Sequence, residues 1–519
     1  WYTLDGAEPV QGEPALRYTG PVTVMESGVV KVKAFKDGFD SSAVVTSQPF
    51  EITLDTTAAT PVITPDGGAF DDEVEVSIGC ATPGATIRYT VNGLEPGEGA
   101  TEYTGPMTLP CGATVKARAF REGMNPSATA TATFDVTQTQ PKTMTAATYY
   151  DKIKGCWLAE IIGNFTGLPH EHQYKQRYPT EPWRGTEQNW VSKGKFKFDG
   201  GRTNDLGEPV WRADDDTDIE WTGLVMMEDY GFDAISYGQI RQGWMSHIND
   251  RIWCANAKAR SLMDGGMLPP DTGKQGINNY AGAIDAQLEI EIHAQIAPGM
   301  PTNAMQRVDY WARVTNDTYA VDCSKFYAVM AAESFFISDP NLLVERAKQH
   351  FDPDAYPGQE HRNVHYIATQ VQQWYNQYPD WVDAVREVHT HFHAGSVWSN
   401  NNFACGLVAI LYGEGDVKKT IKIACLAGYD ADNQAATIGS IVGTIMGWSG
   451  MENLDLNDDG TALKDAIPMP SDGMDYHNWM SGKKVRDNMP EWVQLSDATT
   501  LSRSTRTTTS APASRPSPR

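Results

Sequence analysis

The stretch Ala427-Gly-Tyr-Asp430-Ala-Asp432-Asn433-Gln-Ala-Ala-Thr-Ile-Gly439-Ser-Ile-Val-Gly443-Thr-Ile-Met-Gly447 decides how most of this 519-residue chain is read. Two carboxylates stand directly ahead of an apolar, helix-like run, where unpaired N–H groups and the helix dipole favour negative charge. Glycines at four-residue steps give that run a smooth face. Each costs about 1 kcal/mol against Ala in a helix, so three in register predict a closely packed neighbour near a site.

Two further segments share this character. Asp214-Asp215-Asp216-Thr217-Asp218 precedes the apolar run Ile219-Glu-Trp-Thr-Gly-Leu-Val-Met-Met227. One Asp suffices to cap a helix, whereas three in succession repel one another unless a cation lies between them. Gly155-Cys-Trp-Leu-Ala-Glu-Ile-Ile-Gly163-Asn164-Phe-Thr-Gly167-Leu-Pro169-His-Glu171 reads as a small-residue helix ending in a turn and a carboxylate. Taken singly, each is an ordinary cap or helix end. Together their Asp, Thr and Asn oxygens form a hard donor set suited to Mg²⁺, Mn²⁺ or Ca²⁺, and several carboxylates can hold two such ions.

Composition narrows the classes. Sixty-six Asp and Glu against 42 Lys and Arg give a net charge of -24, opposite to what binding nucleic acid or an anionic membrane requires. No apolar run reaches the roughly 18 residues of a membrane span. Seven scattered cysteines, without a CxxC pair, give neither a disulfide scaffold nor a zinc site. Cys80 and Cys111 lie in one β unit and their pairing is left open; the other five read as buried thiols. The chain opens at Trp1 inside a strand-like stretch, so its natural N-terminus and any signal peptide are read as missing.

The first third contains a repeat. Trp1-Tyr-Thr-Leu-Asp-Gly-Ala-Glu-Pro9 returns as Arg88-Tyr-Thr-Val-Asn-Gly-Leu-Glu-Pro96, Tyr18-Thr-Gly-Pro21 as Tyr103-Thr-Gly-Pro106, and Val30-Lys-Val-Lys-Ala-Phe35 as Val115-Lys-Ala-Arg-Ala-Phe120. Alternation in the last pair predicts half-buried strands with the cationic side chains outward, and Asp5-Gly6 and Asn92-Gly93 are tight-turn dipeptides. Two small β-sandwiches follow, at 1–54 (truncated) and 60–137. After a polar linker at 137–142 the periodicity becomes helical, as in Leu342–His350, Val364–Tyr378 and Trp381–Phe392. One large all-α domain is expected at 145–498, and a disordered tail at 499–519.

The β units resemble the immunoglobulin-like module at the C-terminus of chitobiase-type hexosaminidases, with the opening strands of the first copy (the counterpart of Val74–Ile87) absent. Such modules flank secreted bacterial glycan enzymes, which implies an extracellular or periplasmic address; we read them as spacers in preference to carbohydrate binders. The helical part, 149–448, resembles the ADP-ribosylglycohydrolase superfamily. Asn164, Gly167, Pro169 and Glu171 match its opening G-D-x-x-G-x-P-x-E. Asp214, Asp215, Asp216 and Thr217 match T-D-D-T, and Gly428, Asp430, Asp432 and Asn433 match G-x-D-x-D-T. The resemblance implies a two-ion centre, usually magnesium, with manganese or calcium as alternatives, ligated by Asp214, Asp215, Asp216, Asp430, Asp432 and Asn433. Glu171, Asp215 and Asp216 are the expected catalytic carboxylates. Asp214 and Asn433 each replace a usual Thr, and Asn164 a usual Asp; these departures loosen the transfer of substrate identity.

Asn278–Glu291 carries several carboxylates and is read mainly as a solvated helix face, with Asp285 as a substrate contact. His391-Phe-His393, Trp398 and Asn400–Asn402 are candidates for a sugar pocket, and His393, with Asn164, is assigned to substrate. Trp183, Trp190 and Trp211 are stacking candidates, although a core role is the ordinary one for Trp. Asp455-Leu-Asn457-Asp-Asp459-Gly460 resembles a calcium loop whose closing acid, Asp465, falls one position early. The expected function is a secreted, metal-dependent hydrolase of a glycosidic bond in an ADP-ribosyl conjugate or related glycoside. The alternatives are a glycan-directed hydrolase without ADP-ribose activity and a non-catalytic sugar binder. The partner is a small-molecule or glycan substrate.

Overall fold

The computed structural model describes residues 1–52, 57–139, 142–174, 187–193, 196–197, 202–203, 209–210, 215–231, 235–248, 252–392, 395–467, 476–477, 484–485 and 500–501. Asp214, Trp183, Trp211, His393 and nearly all of the expected tail lie outside the described residues.

The N-terminal region is built of β-strands. Tyr2–Thr3 (β1), Lys31–Val32 (β2) and Val45–Thr46 (β3) form one antiparallel sheet. The second unit contains Val62–Thr64 (β4), Gly68–Asp71 (β5), Val74–Gly79 (β6), Thr86–Thr90 (β7), Thr101–Glu102 (β8), Met107–Leu109 (β9), Ala113–Phe120 (β10) and Ala130–Thr137 (β11). Its two sheets, in the orders β5-β11-β10-β7-β8 and β4-β6-β9, close over Val76, Leu109, Val115 and Phe134. Val115, Ala117 and Ala119 of β10 are buried while Lys116 and Arg118 are half-exposed, as the alternation predicts. In the first copy the pattern fails: Val32 is 43% exposed. In the second copy β6 and its sheet cover the corresponding face. Among the described residues nothing equivalent covers it in the first.

From residue 146 the described residues are mainly helical: Ala146–Gly167 (α1), Glu187–Lys193 (α2), Asp215–Tyr230 (α3), Tyr237–His247 (α4), Cys254–Asp264 (α5), Glu291–Gln295 (α6) and Pro301–Ala312 (α7). There follow Tyr319–Glu333 (α8), Pro340–Lys348 (α9), Val364–Gln377 (α10), Trp381–His391 (α11), Ser399–Gly413 (α12), Val417–Ala427 (α13) and Ala431–Met451 (α14). A 3-10 turn, Ile284–Glu289, leads into α6.

The α1–α14 pair forms the spine. The helices run antiparallel with their backbones in contact: a β-carbon on Gly155 would meet Gly443 and Gly447, one on Gly163 would meet Ala435, and one on Gly167 would meet Asp432. A β-carbon on Gly439 would sit 2.6 Å from the Ala159 carbonyl oxygen. Real side chains do not tolerate that approach, so this seam requires glycine. Gly447 plays a different part. Its φ of 67° breaks the helix, so the predicted run through Gly447 is kinked there.

The second β unit is seated on the helical part. The loop at Gly97–Gly99 abuts backbone carbonyls at the end of α10, Thr101 Oγ1 lies 3.0 Å from Tyr375 Oη, and Asn341 Nδ2 donates to Thr101 Oγ1 at 3.3 Å. Cys80 and Cys111 are both free thiols.

Gly163→Ala should destabilise the protein by about 3 kcal/mol despite Ala's higher helix propensity, because the added methyl overpacks a backbone seam. Urea unfolding of the variant against the parent chain measures this.

Candidate functional site

The α1–α14 seam brings the first and third acidic segments together. Beyond α1, Glu171 is followed by His172 in the left-handed region (φ 51°), and ahead of α14, Asp430 is preceded by Tyr429 in the same region (φ 60°). The His172 N–H donates to the Tyr429 carbonyl at 3.0 Å, so the two turns are bonded to each other. One carboxylate oxygen from each of Glu171, Asp430 and Asp432 lies within 4.8 Å of the others. Asp430 occupies the N-cap position of α14 yet makes no side-chain cap hydrogen bond. Its carboxylate is directed to the cavity instead.

This cavity, of about 390 Å³, is lined by Glu171, His172, Asp215, Asp216, Asp285, Asp430 and Asp432, and by Trp253, Cys254, Ile284, Leu288 and Val397. Asp215 and Asp216 arrive at the first turn of α3. Asn164 Nδ2 donates to Asp216 Oδ2 at 2.6 Å and Asn433 Nδ2 donates to Oδ1 at 3.1 Å. Both amides therefore stand behind Asp216, outside the cavity lining. In this structure Asn164 contacts a carboxylate where the sequence reading assigned it to substrate, and Asn433 contacts the same carboxylate where that reading made it a metal ligand. His172 Nε2 lies 3.0 Å from Glu171 Oε1.

The Asn278–Glu291 segment departs from expectation. Asp285, Gln287, Glu289 and Glu291 are all buried, so it is no solvated helix face. Burial pushes the Asp285 carboxyl up to about 7 although the Asn256 N–H donates to its Oδ1 at 2.8 Å; Glu289 rises to about 8 for the same reason. Behind the cavity, burial and mutual repulsion hold Glu160 and Glu220 well above the ordinary range, and burial brings Glu291 to about 7. These acids join the backs of α1, α3 and α6, where the Ile292 N–H donates to Glu220 Oε1 at 2.9 Å.

The asparagines of α12 brace the site where a sugar contact was a candidate. Asn402 Oδ1 accepts from the Asp430 N–H at 3.1 Å and from Gln434 Nε2 at 2.6 Å, while Asn400 and Asn401 bond backbone carbonyls. Val397 supplies the cavity contact from this region. Trp190 is buried against His170 and Phe196. In the Asp455 loop, the carboxylate bonds the N–H groups of Asp459 and Gly460, and Lys418 Nζ lies 3.1 Å from the Asp455 carbonyl oxygen. Cys254, expected to be a buried thiol, is half-exposed in the cavity lining, and Trp253 and His172 carry no signal in the sequence beyond the place of His172 beside Glu171.

The donor set fits a hard divalent cation. Burial and the neighbouring charges of Asp432 and Glu171 push the Asp430 carboxyl well above its usual range, a repulsion that a cation would relieve.

Fold and site together define an all-α domain built around an acid-lined cavity. Residues 145–458, more than half of the chain, match the model of the ADP-ribosylglycohydrolase family, and the chain belongs to that family. Membership suggests glycohydrolase activity. Residues 1–46 and 65–131 match the chitobiase/beta-hexosaminidase C-terminal domain. Among solved structures, one titled "ADP-ribosylglycohydrolase-related protein complex" is similar at 16% identity, covering 59% of this chain and 90% of that chain with a TM-score of 0.38. No protein of curated function matches.

Because burial and the charges of Asp432 and Glu171 hold the Asp430 carboxyl above its usual range, protons compete with a cation for it. The apparent affinity for Mn²⁺ should therefore rise with pH, by up to about tenfold per unit, until Asp430 ionises unaided. Calorimetric titrations at pH 6, 7 and 8 in two buffers of different ionisation enthalpy measure both the slope and the proton released.

Proposed function

We propose that this chain is an exported, divalent-metal-dependent glycohydrolase. The observation that carries the reading is the convergence of Glu171, Asp430 and Asp432 on one point, with Asp215 and Asp216 lining the same cavity. Glu171, Asp430 and Asp432 would hold one magnesium, manganese or calcium ion, and Asp215 and Asp216, together with Asp214, would serve a second. A bound ion of this kind supplies Lewis-acid chemistry, fixing sugar hydroxyls and stabilising charge as the bond to the anomeric carbon breaks.

The chain's own groups divide the remaining work. Glu171 is half-exposed at the cavity wall, with His172 Nε2 3.0 Å from its Oε1; one of its oxygens would ligate the ion and the other would accept a proton from the attacking water. Asp216 receives amide hydrogens on both oxygens, so it stays an acceptor of fixed orientation. The substrate reading is a glycosidic bond in an ADP-ribosyl conjugate or a related glycoside. The chitobiase-type modules support export and a sugar-bearing substrate.

Asp216→Ala and Asp432→Ala should each lose at least 100-fold in turnover and should each lose one of the two bound Mn²⁺ ions. Turnover is measured on ADP-ribosyl conjugates and on a panel of aryl glycosides with each of the three cations. Parent-like rates in both variants contradict the assignment, and saturable sugar binding without hydrolysis by the parent chain favours the binding-protein alternative.

A further inference from the structure

Three consecutive residues lead the chain into α14, and each is held by a different partner. Gln434 Nε2 donates to the Gly428 carbonyl at 2.9 Å, the His172 N–H donates to the Tyr429 carbonyl at 3.0 Å, and the Asp430 N–H donates to Asn402 Oδ1 at 3.1 Å. Gly428 has a φ of 94°, a conformation open to glycine. Tyr429 has a φ of 60°, where a β-carbon crowds the backbone and a bulky aromatic residue is an outlier. Such a conformation persists only where its surroundings over-determine it. Here it stands one residue ahead of a carboxylate that lines the cavity. The side chain of Tyr429 is 1% exposed, its Oη lies 2.6 Å from His389 Nδ1, and the two rings meet with centroids 4.6 Å apart at 31°. His389 is itself buried, in the last turn of α11, a helix from which no described residue lines the cavity.

We propose that His389, acting through Tyr429, is a positioning residue for Asp430. The ring pair and its hydrogen bond hold Tyr429 in the left-handed region, and that turn aims the Asp430 carboxylate at the cavity while presenting the Tyr429 carbonyl to His172. A helix outside the cavity thereby sets the affinity for the cation. Only the cation rests on the metal-centre reading; the pair holds the turn whether or not an ion is bound.

The full chain and its variants are compared by Mn²⁺ titration followed by electron paramagnetic resonance. Hydrogen exchange at the His172 amide, read by mass spectrometry with fragmentation to single residues, reports on the turn without any cation. Tyr429→Phe removes one oxygen and keeps the ring. It should weaken Mn²⁺ binding about tenfold and speed His172 exchange about fivefold, as should His389→Phe. The double variant should lie within about twofold of the weaker single one, because the two side chains act as a unit. Tyr429→Ala should lose about 100-fold in affinity. Tyr429→Gly leaves a larger void than Ala yet accepts the left-handed φ, so it should bind Mn²⁺ about fivefold more tightly than Ala and exchange His172 more slowly. A packing role alone puts Gly at or below Ala. Urea midpoints check that each variant is folded, and Tyr429→Phe decides the case should His389→Phe fail to fold. Losses that add in the double variant, Gly no better than Ala, or parent-like affinity and exchange in Tyr429→Phe overturn the proposal. Should the parent chain take up no Mn²⁺, the metal-centre reading fails. His172 exchange slowest in the parent, faster in Gly and fastest in Ala then still supports the pair, and exchange alike in all three overturns it.

Discussion

Backbone contact between α1 and α14 is the constraint on which the rest depends. Two helices bearing ordinary side chains pack with their axes 8–10 Å apart. Here Gly155, Gly163, Gly439 and Gly443 remove the intervening β-carbons, and the seam runs from Gly155 against Gly443 to Gly167 against Asp432. Its upper end is where the chain leaves α1 toward Glu171 and enters α14 from Asp430. Closing the seam thus sets the distance between carboxylates more than 250 positions apart in sequence. The left-handed turns at His172 and Tyr429 then bond to each other and finish the alignment.

Gathering acids in this way is unfavourable unless their charge is answered. Coulomb repulsion and desolvation both oppose ionising several buried carboxyls in one place. The protein uses two remedies. Away from the cavity wall, burial raises the Glu160, Glu220 and Glu291 carboxyls above their ordinary range, which favours their uncharged forms, and the Ile292 N–H donates to Glu220. At the wall, Asp216 is steadied by the amides of Asn164 and Asn433, and Asp430 forgoes its capping bond, which leaves oxygens directed at the cavity. The Asn433 and Asn164 departures from the family pattern thus acquire a physical role as supports of Asp216.

Much of this was legible from residue order. Paired carboxylates ahead of glycine-spaced apolar runs marked both the helix starts and the close packing, and the repeat marked the β units. What failed did so for identifiable reasons. The carboxylates of Asn278–Glu291 suggest a solvated face because burial of acids is invisible to a pattern that treats every Asp and Glu as charged. The asparagines of α12 are candidates for a sugar pocket by sequence, whereas Asn400 and Asn401 donate their Nδ2 groups to backbone carbonyls and Asn402 braces the Asp430 turn. Trp253 and Cys254 carry no motif; only the turn at the start of α5 brings them to the cavity. Val32 repeats the spacing of a buried strand position, yet spacing cannot tell which faces are covered.

The second β unit is more than a tethered appendage, since glycines at 97 and 99 let its loop meet the backbone at the end of α10, and Thr101 bonds Tyr375 and Asn341. The central claim remains the convergence of the carboxylates on bound cations. The most direct measurement is an anomalous difference map from crystals of the chain grown with Mn²⁺. A peak is expected in direct contact with carboxylate oxygens of Glu171, Asp430 and Asp432, with Asp215 and Asp216 facing it across the same cavity. Manganese bound elsewhere, with these side chains turned into separate regions, would contradict it.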